Sequence, residues 1–366
     1  MINSVPGPTA FLECSETACV RDLGDGYRRY RPPVATLLLG LALFAALTYL
    51  YIDGFLMRAT GADVVLVLVI GAFALLGFLL SLITSRAARR PRAVDMVLGA
   101  AAAIFAQFLS REMGIPVLVA MGITGCILGV MALPGGPLDF MASACGYTGL
   151  FTGLAQPGPA LPWGWVVAAG LLAGTLFSVI GPAVLPGVGA RMGAVAFLSG
   201  SLVYLIVGIT GNDVPAILPA DGTGFANWSI LPIGMAGALV TWTLASRTTM
   251  PFVLASALPS LVVCGVMAVV LPANVAVLGS AWVGGTLIAS AAPQRLPTAL
   301  WIGLAGIVYG ALMLHFAGPL TGHAGVLGAT ATIACMASAG AEWLIHTHSV
   351  GRVVARMAYI RATPDR

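Results

Sequence analysis

Apolar residues in this chain come in long unbroken runs rather than in alternating or one-sided stripes. Twelve such runs can be marked, at about 34–52, 64–84, 96–110, 116–133, 139–155, 163–185, 192–210, 229–246, 251–271, 275–291, 298–317 and 324–341. Short polar breaks, many containing Pro or Gly, separate them. A run of about 20 apolar residues matches the hydrocarbon thickness of a bilayer, and a helix satisfies its own backbone groups there. The pattern predicts an all-α polytopic membrane protein with about 12 transmembrane helices.

Two stretches of the chain read as copies. Ser110-Arg111 followed by Pro116 is matched by Ser246-Arg247 followed by Pro251. Gly129-Val-Met-Ala132 is matched by Gly265-Val-Met-Ala268, Leu133-Pro134 by Leu271-Pro272, and Leu172-Ala-Gly174 by Leu304-Ala-Gly306. Arg191-Met-Gly193 aligns with His323-Ala-Gly325. The matches keep their order at an offset of about 132 to 138 residues. The organisation expected is a polar N-terminal tail (1–33), two N-terminal helices (34–94), a five-helix repeat (95–210), a loop (211–227), a second five-helix repeat (228–341) and an Arg-rich tail (342–366). Five spans per copy is an odd number, so the second copy would enter the membrane from the opposite side. The repeats would then be inverted, related by a two-fold axis lying in the membrane plane.

Composition agrees. The chain is 59% hydrophobic and 8% charged, with mean hydropathy +0.99, against about 25% charged in soluble domains. Every basic residue is Arg, which together with abundant Ala and Gly suggests a bacterial source and an inner-membrane location. The arginines cluster at Arg21, Arg28, Arg29 and Arg31, at Arg86, Arg89, Arg90 and Arg92, and in the C-terminal tail. By the positive-inside rule these segments, with Arg191, Arg247 and Arg295, are cytoplasmic. Arg58 and Arg111 fall outside, and so does the 211–227 loop with Asp213 and Asp221. The first apolar run begins too late and is too long for a cleaved signal peptide. Cys126, Cys145, Cys264 and Cys335 fall in apolar runs and act as small hydrophobes. Cys14 and Cys19 lie in the N-terminal tail.

The third run of each copy is short, rich in small and hydroxyl residues, and bracketed by prolines. Ser143, Tyr147, Thr148 and Thr152 in the first, with Ser280, Trp282, Thr286 and Ser290 in the second, are the candidate lining of a solute pathway. Hydroxyls can hydrogen-bond a neutral solute and small residues let helices approach closely. The plainer reading has the same hydroxyls bonded back to their own helix carbonyls. Gln107 aligns with Thr243, and Phe105 with Thr241, so polar groups at matched depth are expected to face each other. Pro182 and Pro232 are candidate kinks. Gly125-xxx-Gly129, Gly149-xxx-Gly153, Gly170-xxx-Gly174 and Gly306-xxx-Gly310 fit helix packing.

Charge is missing from the spans. Asp95, Asp139, Arg111, Glu112 and Glu342 sit at run ends, where termini or water can solvate them, and His315 and His323 lie near outer ends. This argues against proton coupling through a buried carboxylate, whereas sodium coupling through carbonyls and hydroxyls needs no charged ligand. No catalytic motif is found, so the chain is not read as an enzyme. No cofactor and no metal site are expected, although His346 and His348 form a weak HxH near Glu342. The expected partners are the lipid bilayer and a small-molecule solute, with a second copy or a partner subunit left open; nucleic acid is not a partner. The function expected is an inner-membrane transporter of a small neutral or zwitterionic solute. The alternatives are a channel-like facilitator and a non-transporting membrane subunit or assembly factor.

Overall fold

The computed structural model describes residues 34–57, 59, 61–83, 90–153, 162–209, 228–315 and 325–346. Among them it has twelve helices and no strand. They are α1 (Val34–Tyr51, continued by a π turn Ile52–Leu56), α2 (Ala62–Ile83), α3 (Ala93–Arg111), α4 (Val117–Met131), α5 (Phe140–Gly153) and α6 (Trp163–Val184). Then come α7 (Arg191–Ile209), α8 (Ile230–Arg247), α9 (Phe252–Val270), α10 (Val275–Ile288), α11 (Ala299–His315) and α12 (Val326–His346). The 1–33 tail, the 211–227 loop, His323, His348 and the tail from residue 347 lie outside the described residues.

Six helices (α1, α2, α3, α6, α8 and α9) are long and apolar enough to cross a bilayer, as a multi-pass membrane protein requires. The α5 and α10 helices have 14 residues each. At about 1.5 Å per residue each is roughly 21 Å long, short of the ~30 Å hydrocarbon core. The last helix runs on to His346, past the boundary at 341 read from the hydropathy, because Glu342 is buried inside the fold (3% exposed).

Prolines punctuate as the sequence suggests. Pro116, Pro162 and Pro251 hold N-caps in extended conformation; Pro232, by contrast, is not the interior kink its place in the run suggests, but sits in the first turn of α8, where no intrahelical N–H bond is lost. Pro259, in the middle of α9, is the interior proline that hydropathy alone did not single out.

Helices α3–α7 and α8–α12 pack in matching ways. In the first block α3 packs on α4, α5 and α6; α5 packs on α4, α6 and α7; and α6 packs on α7. In the second, α8 packs on α9, α10 and α11; α10 on α9, α11 and α12; and α11 on α12. Between blocks, α4 meets α9 and α7 meets α12, while α4 with α10 and α5 with α9 form a reciprocal pair. Of the two N-terminal helices, α1 lies on α6 and α7, and α2 on α12.

Glycines set these approaches. Gly149 of α5 and Gly170 of α6 both lie on the carbonyl of Gly99 in α3, and Gly285 of α10 and Gly306 of α11 both lie on the carbonyl of Gly234 in α8. At the 136-residue spacing that matches Arg111 with Arg247, Gly149, Gly170 and Gly174 fall on Gly285, Gly306 and Gly310. A side chain at any of these would overlap a backbone atom, so only glycine allows the three helices to touch.

Helix directions follow from the same contacts. Gly122, Gly125 and Gly129 of α4 lie against Leu261, Ala257 and Leu254 of α9, so these helices run antiparallel. Gly189, just before α7, lies against Cys335, and Gly193 against Gly328. Thus α7 and α12 are also antiparallel, and they cross within the first turn of each.

Candidate functional site

The α4–α9 crossing is where polar side chains of the two blocks meet. Gly125 leaves a space at this crossing, opposite Ala257, and the ring of Tyr147 from α5 fills it. The ring stacks edge-on against Phe151 at 5.1 Å between centroids. The Tyr147 hydroxyl then reaches α9, 3.1 Å from Ser256 Oγ. Ser256 Oγ is 2.8 Å from Thr286 Oγ1 of α10, and Thr286 also lies 2.7 Å from the Val283 carbonyl. All three side chains are fully buried. A continuous hydroxyl chain therefore runs from α5 of one block to α10 of the other.

The chain is not duplicated. At the 136-residue spacing, Val283, Ala120 and Leu150 stand where the partners of Tyr147, Ser256 and Thr286 would be.

Two buried groups on α8 and α10 have no hydrogen-bond partner among the described residues, the Thr241 hydroxyl and Nε1–H of Trp282. Their helices touch where Gly237 lies on the Trp282 carbonyl. An unpaired buried donor or hydroxyl costs about 1–3 kcal/mol.

The remaining residues singled out from the sequence have more local roles. Thr148 and Thr152 donate back to Ala144 and Gly149 carbonyls at 2.8 and 2.7 Å. Ser143 reaches across to the Leu128 carbonyl of α4 at 3.2 Å. Ser280 is half-buried, and its carbonyl accepts from Tyr309 at 2.9 Å. Ser290 donates to Leu287 at 2.8 Å and accepts the Ala190 N–H at 2.9 Å. Gln107 is buried on α3, but Thr243 is exposed and turned back onto the Leu239 carbonyl. The structure does not bring these two together: it buries Thr241 in the α8 packing face instead, one helical half-turn away.

Of the charged residues at helix ends, Asp95 and Glu342 are buried in the protein, whereas Arg111 and Glu112 are exposed. Asp95 is 0% exposed. It takes Arg92 Nη2 at 2.8 Å and Ser178 Oγ at 2.8 Å, and Arg92 also forms a two-pronged pair with Asp139, 2.9 Å on one side. These two carboxylates push the Arg92 pKa further up, Asp139 foremost. Asp139 in turn accepts the Ala142 N–H at 2.7 Å and so caps α5. The result ties together the Arg-rich ends of α3, α5 and α6. Arg191 and Arg295, read from the sequence as topology signals, are also buried (7% and 4% exposed). Burial of this kind has no signature in hydropathy, because it depends on which helix lies opposite.

His346 contacts Glu342 one turn back, 3.5 Å away, and no cluster of three or more His, Cys, Asp or Glu that could hold a metal occurs among the described residues. Cys126, Cys145, Cys264 and Cys335 are free thiols. An apolar cleft of about 310 Å³ between α1, α2 and α12, lined by Phe44, Tyr51, Phe78 and Met336 among others, lies apart from the hydroxyl chain. No protein-family model matches this sequence, and neither characterised proteins nor solved structures give a significant match.

Proposed function

We propose that the protein is a twelve-helix carrier of the bacterial inner membrane, moving a small neutral or zwitterionic solute between two inverted five-helix repeats, α3–α7 and α8–α12. The observation that carries the reading is the buried Tyr147–Ser256–Thr286 chain, which joins the two repeats where their second helices cross. It offers hydroxyls and no charge, chemistry suited to an uncharged or internally balanced solute. The unpaired Thr241 hydroxyl and Trp282 N–H add one further hydroxyl and one donor that such a solute would satisfy.

Two features support inversion. Helices related by a two-fold axis along the membrane normal run parallel, and those related by an axis in the plane run antiparallel. The matched pairs α4/α9 and α7/α12 are antiparallel. Such an axis passes through both crossings, so both lie at one depth: the middle of α4 and α9, and the first turns of α7 and α12. On this geometry α7 and α12 each begin near the bilayer centre. That fits a carrier fold, in which interrupted helices meet at the midplane around the site.

Two measurements test the proposal. Glu112 and Thr248 are exposed, matched positions in the loops after α3 and α8. Single cysteines there, labelled in intact cells by a membrane-impermeant maleimide, are expected to react from opposite sides; labelling from one side would sink the inverted model. Proteoliposomes are then assayed for urea and glycerol shrinkage and for glycine counterflow. Saturable counterflow supports a carrier. Non-saturating shrinkage points to a facilitator, and no flux with a partner protein that stays bound through purification points to a non-transporting subunit.

A further inference from the structure

The connection between α6 and α7 has the features of a gate. Residues 185–190 are non-helical, yet every one is buried. In a membrane-spanning fold, irregular backbone at depth persists only where protein or a water-filled cavity satisfies it. Here the partners come from the other repeat. Ala190 N–H donates to the Leu287 carbonyl at 3.0 Å and to Ser290 Oγ at 2.9 Å. The Gly187 carbonyl accepts Ala292 N–H at 2.9 Å, and the Pro186 carbonyl accepts Arg295 Nε–H at 3.3 Å. Arg191 holds the near side through the Gly181 and Leu185 carbonyls at 3.3 and 3.4 Å. Thus the loop of the first repeat is laced to the end of α10 and the turn after it, in the second.

The lacing is under tension. Ala190 has φ 61°, the sole non-glycine residue among those described in the left-handed region. Its methyl makes that conformation costly, and it persists because the bonds on both sides over-determine it. Gly187, at φ 72°, supplies the other left-handed turn without that cost. Directly behind the loop, Gly189 lies against Cys335 Sγ of α12 and the Ile288 carbonyl. The Cys335 side chain is 1% exposed, and its thiol packs between Gly189 of the loop and the Ile288 carbonyl of α10.

We infer that residues 185–190 form the gate on the Arg-rich side of the solute path, closed here across the repeat interface and opened by release of the bonds to Leu287, Ser290, Ala292 and Arg295. This rests on the carrier reading and deepens it. Closure joins two repeats that must move relative to one another, and the strained Ala190 stores a bias towards opening.

Cys335 is a native reporter. In protein whose other five cysteines are replaced by alanine, its alkylation by N-ethylmaleimide is followed over time, with a matched protein that keeps only Cys145 of α5 as control. Ser290→Ala and Arg295→Met each remove a lace and are expected to speed Cys335 alkylation about tenfold, leaving Cys145 unchanged. Ala190→Gly removes the strain from the closed loop and is expected to slow it about fivefold. Equal Cys335 rates in all three variants would overturn the gate, as would parallel acceleration of Cys145, which signals general loosening. Alkylation needs no flux, so a gated Cys335 in liposomes that transport none of the tested solutes would count against the carrier reading alone.

Discussion

Gly193 and Gly328 face each other at the α7–α12 crossing, each lying directly on the other's α-carbon. No side chain fits between them, and the approach is reciprocal. Replacing either with alanine forces the first turns of both helices apart, a cost of about 1–3 kcal/mol for an overpacked contact. The double variant is expected to cost clearly less than the sum, since one shift accommodates both methyls. Unfolding of the purified protein in detergent, titrated with denaturant, measures this.

Gly149 and Gly285 test the correspondence of the two blocks. Each lies on the carbonyl of a glycine in the first helix of its own block, Gly99 or Gly234. Gly149→Ala and Gly285→Ala are expected to destabilise by similar amounts, about 1–3 kcal/mol each, and additively. A large effect at one position and none at the other would show that the matched packing is not energetically equivalent.

Tyr147 and Ser256 differ in what their removal leaves behind. Tyr147→Phe removes one hydrogen bond while Ser256 keeps Thr286, a loss of about 0.5–1.5 kcal/mol. Ser256→Ala strands a fully buried phenol hydroxyl, which costs about 1–3 kcal/mol. Ser256→Ala is therefore expected to be the more destabilising in the same titration. In the glycine counterflow assay both are expected to lower the rate.

Asp95 and Asp139 share Arg92 but not its exposure. The Asp95 side chain is fully buried, and that of Asp139 is 51% exposed. Asp139→Asn keeps a side chain that can cap α5 and loses a solvent-screened ion pair, so less than about 1 kcal/mol is expected. Asp95→Asn alters a buried acceptor of two donors, Arg92 and Ser178, and about 1–3 kcal/mol is expected. The thermal midpoint in detergent should fall in that order, and Ser178→Ala should resemble Asp95→Asn.

Much of the architecture was legible in the order of residues. Helix limits fall within a few residues of the apolar runs because each run is bounded by proline, glycine or charge. The Gly-xxx-Gly pairs mark close approaches because only a missing side chain permits them. The hydroxyls were harder to interpret. A Ser or Thr in a helix can bond its own carbonyl or a neighbour's, and spacing does not distinguish the two. Thr148 and Thr152 turned inward to their own helix, whereas Tyr147 and Thr286 reached Ser256, which stands on a run chosen for no polar feature. Gln107 and Thr243 share an alignment but not an environment, since α8 buries the face that carries Thr241 and exposes the face that carries Thr243.

By itself, the sequence determined that this protein is helical, apolar and membrane-spanning, because helix formation and lipid compatibility are properties of local runs. Only the tertiary structure decided which ends are buried, which hydroxyls meet and which loop is laced across the interface. Asp95, Arg191 and Arg295 read as surface charges until the helices that surround them are in place. Burial and pairing belong to contacts between distant segments, and a chain read one run at a time does not contain them.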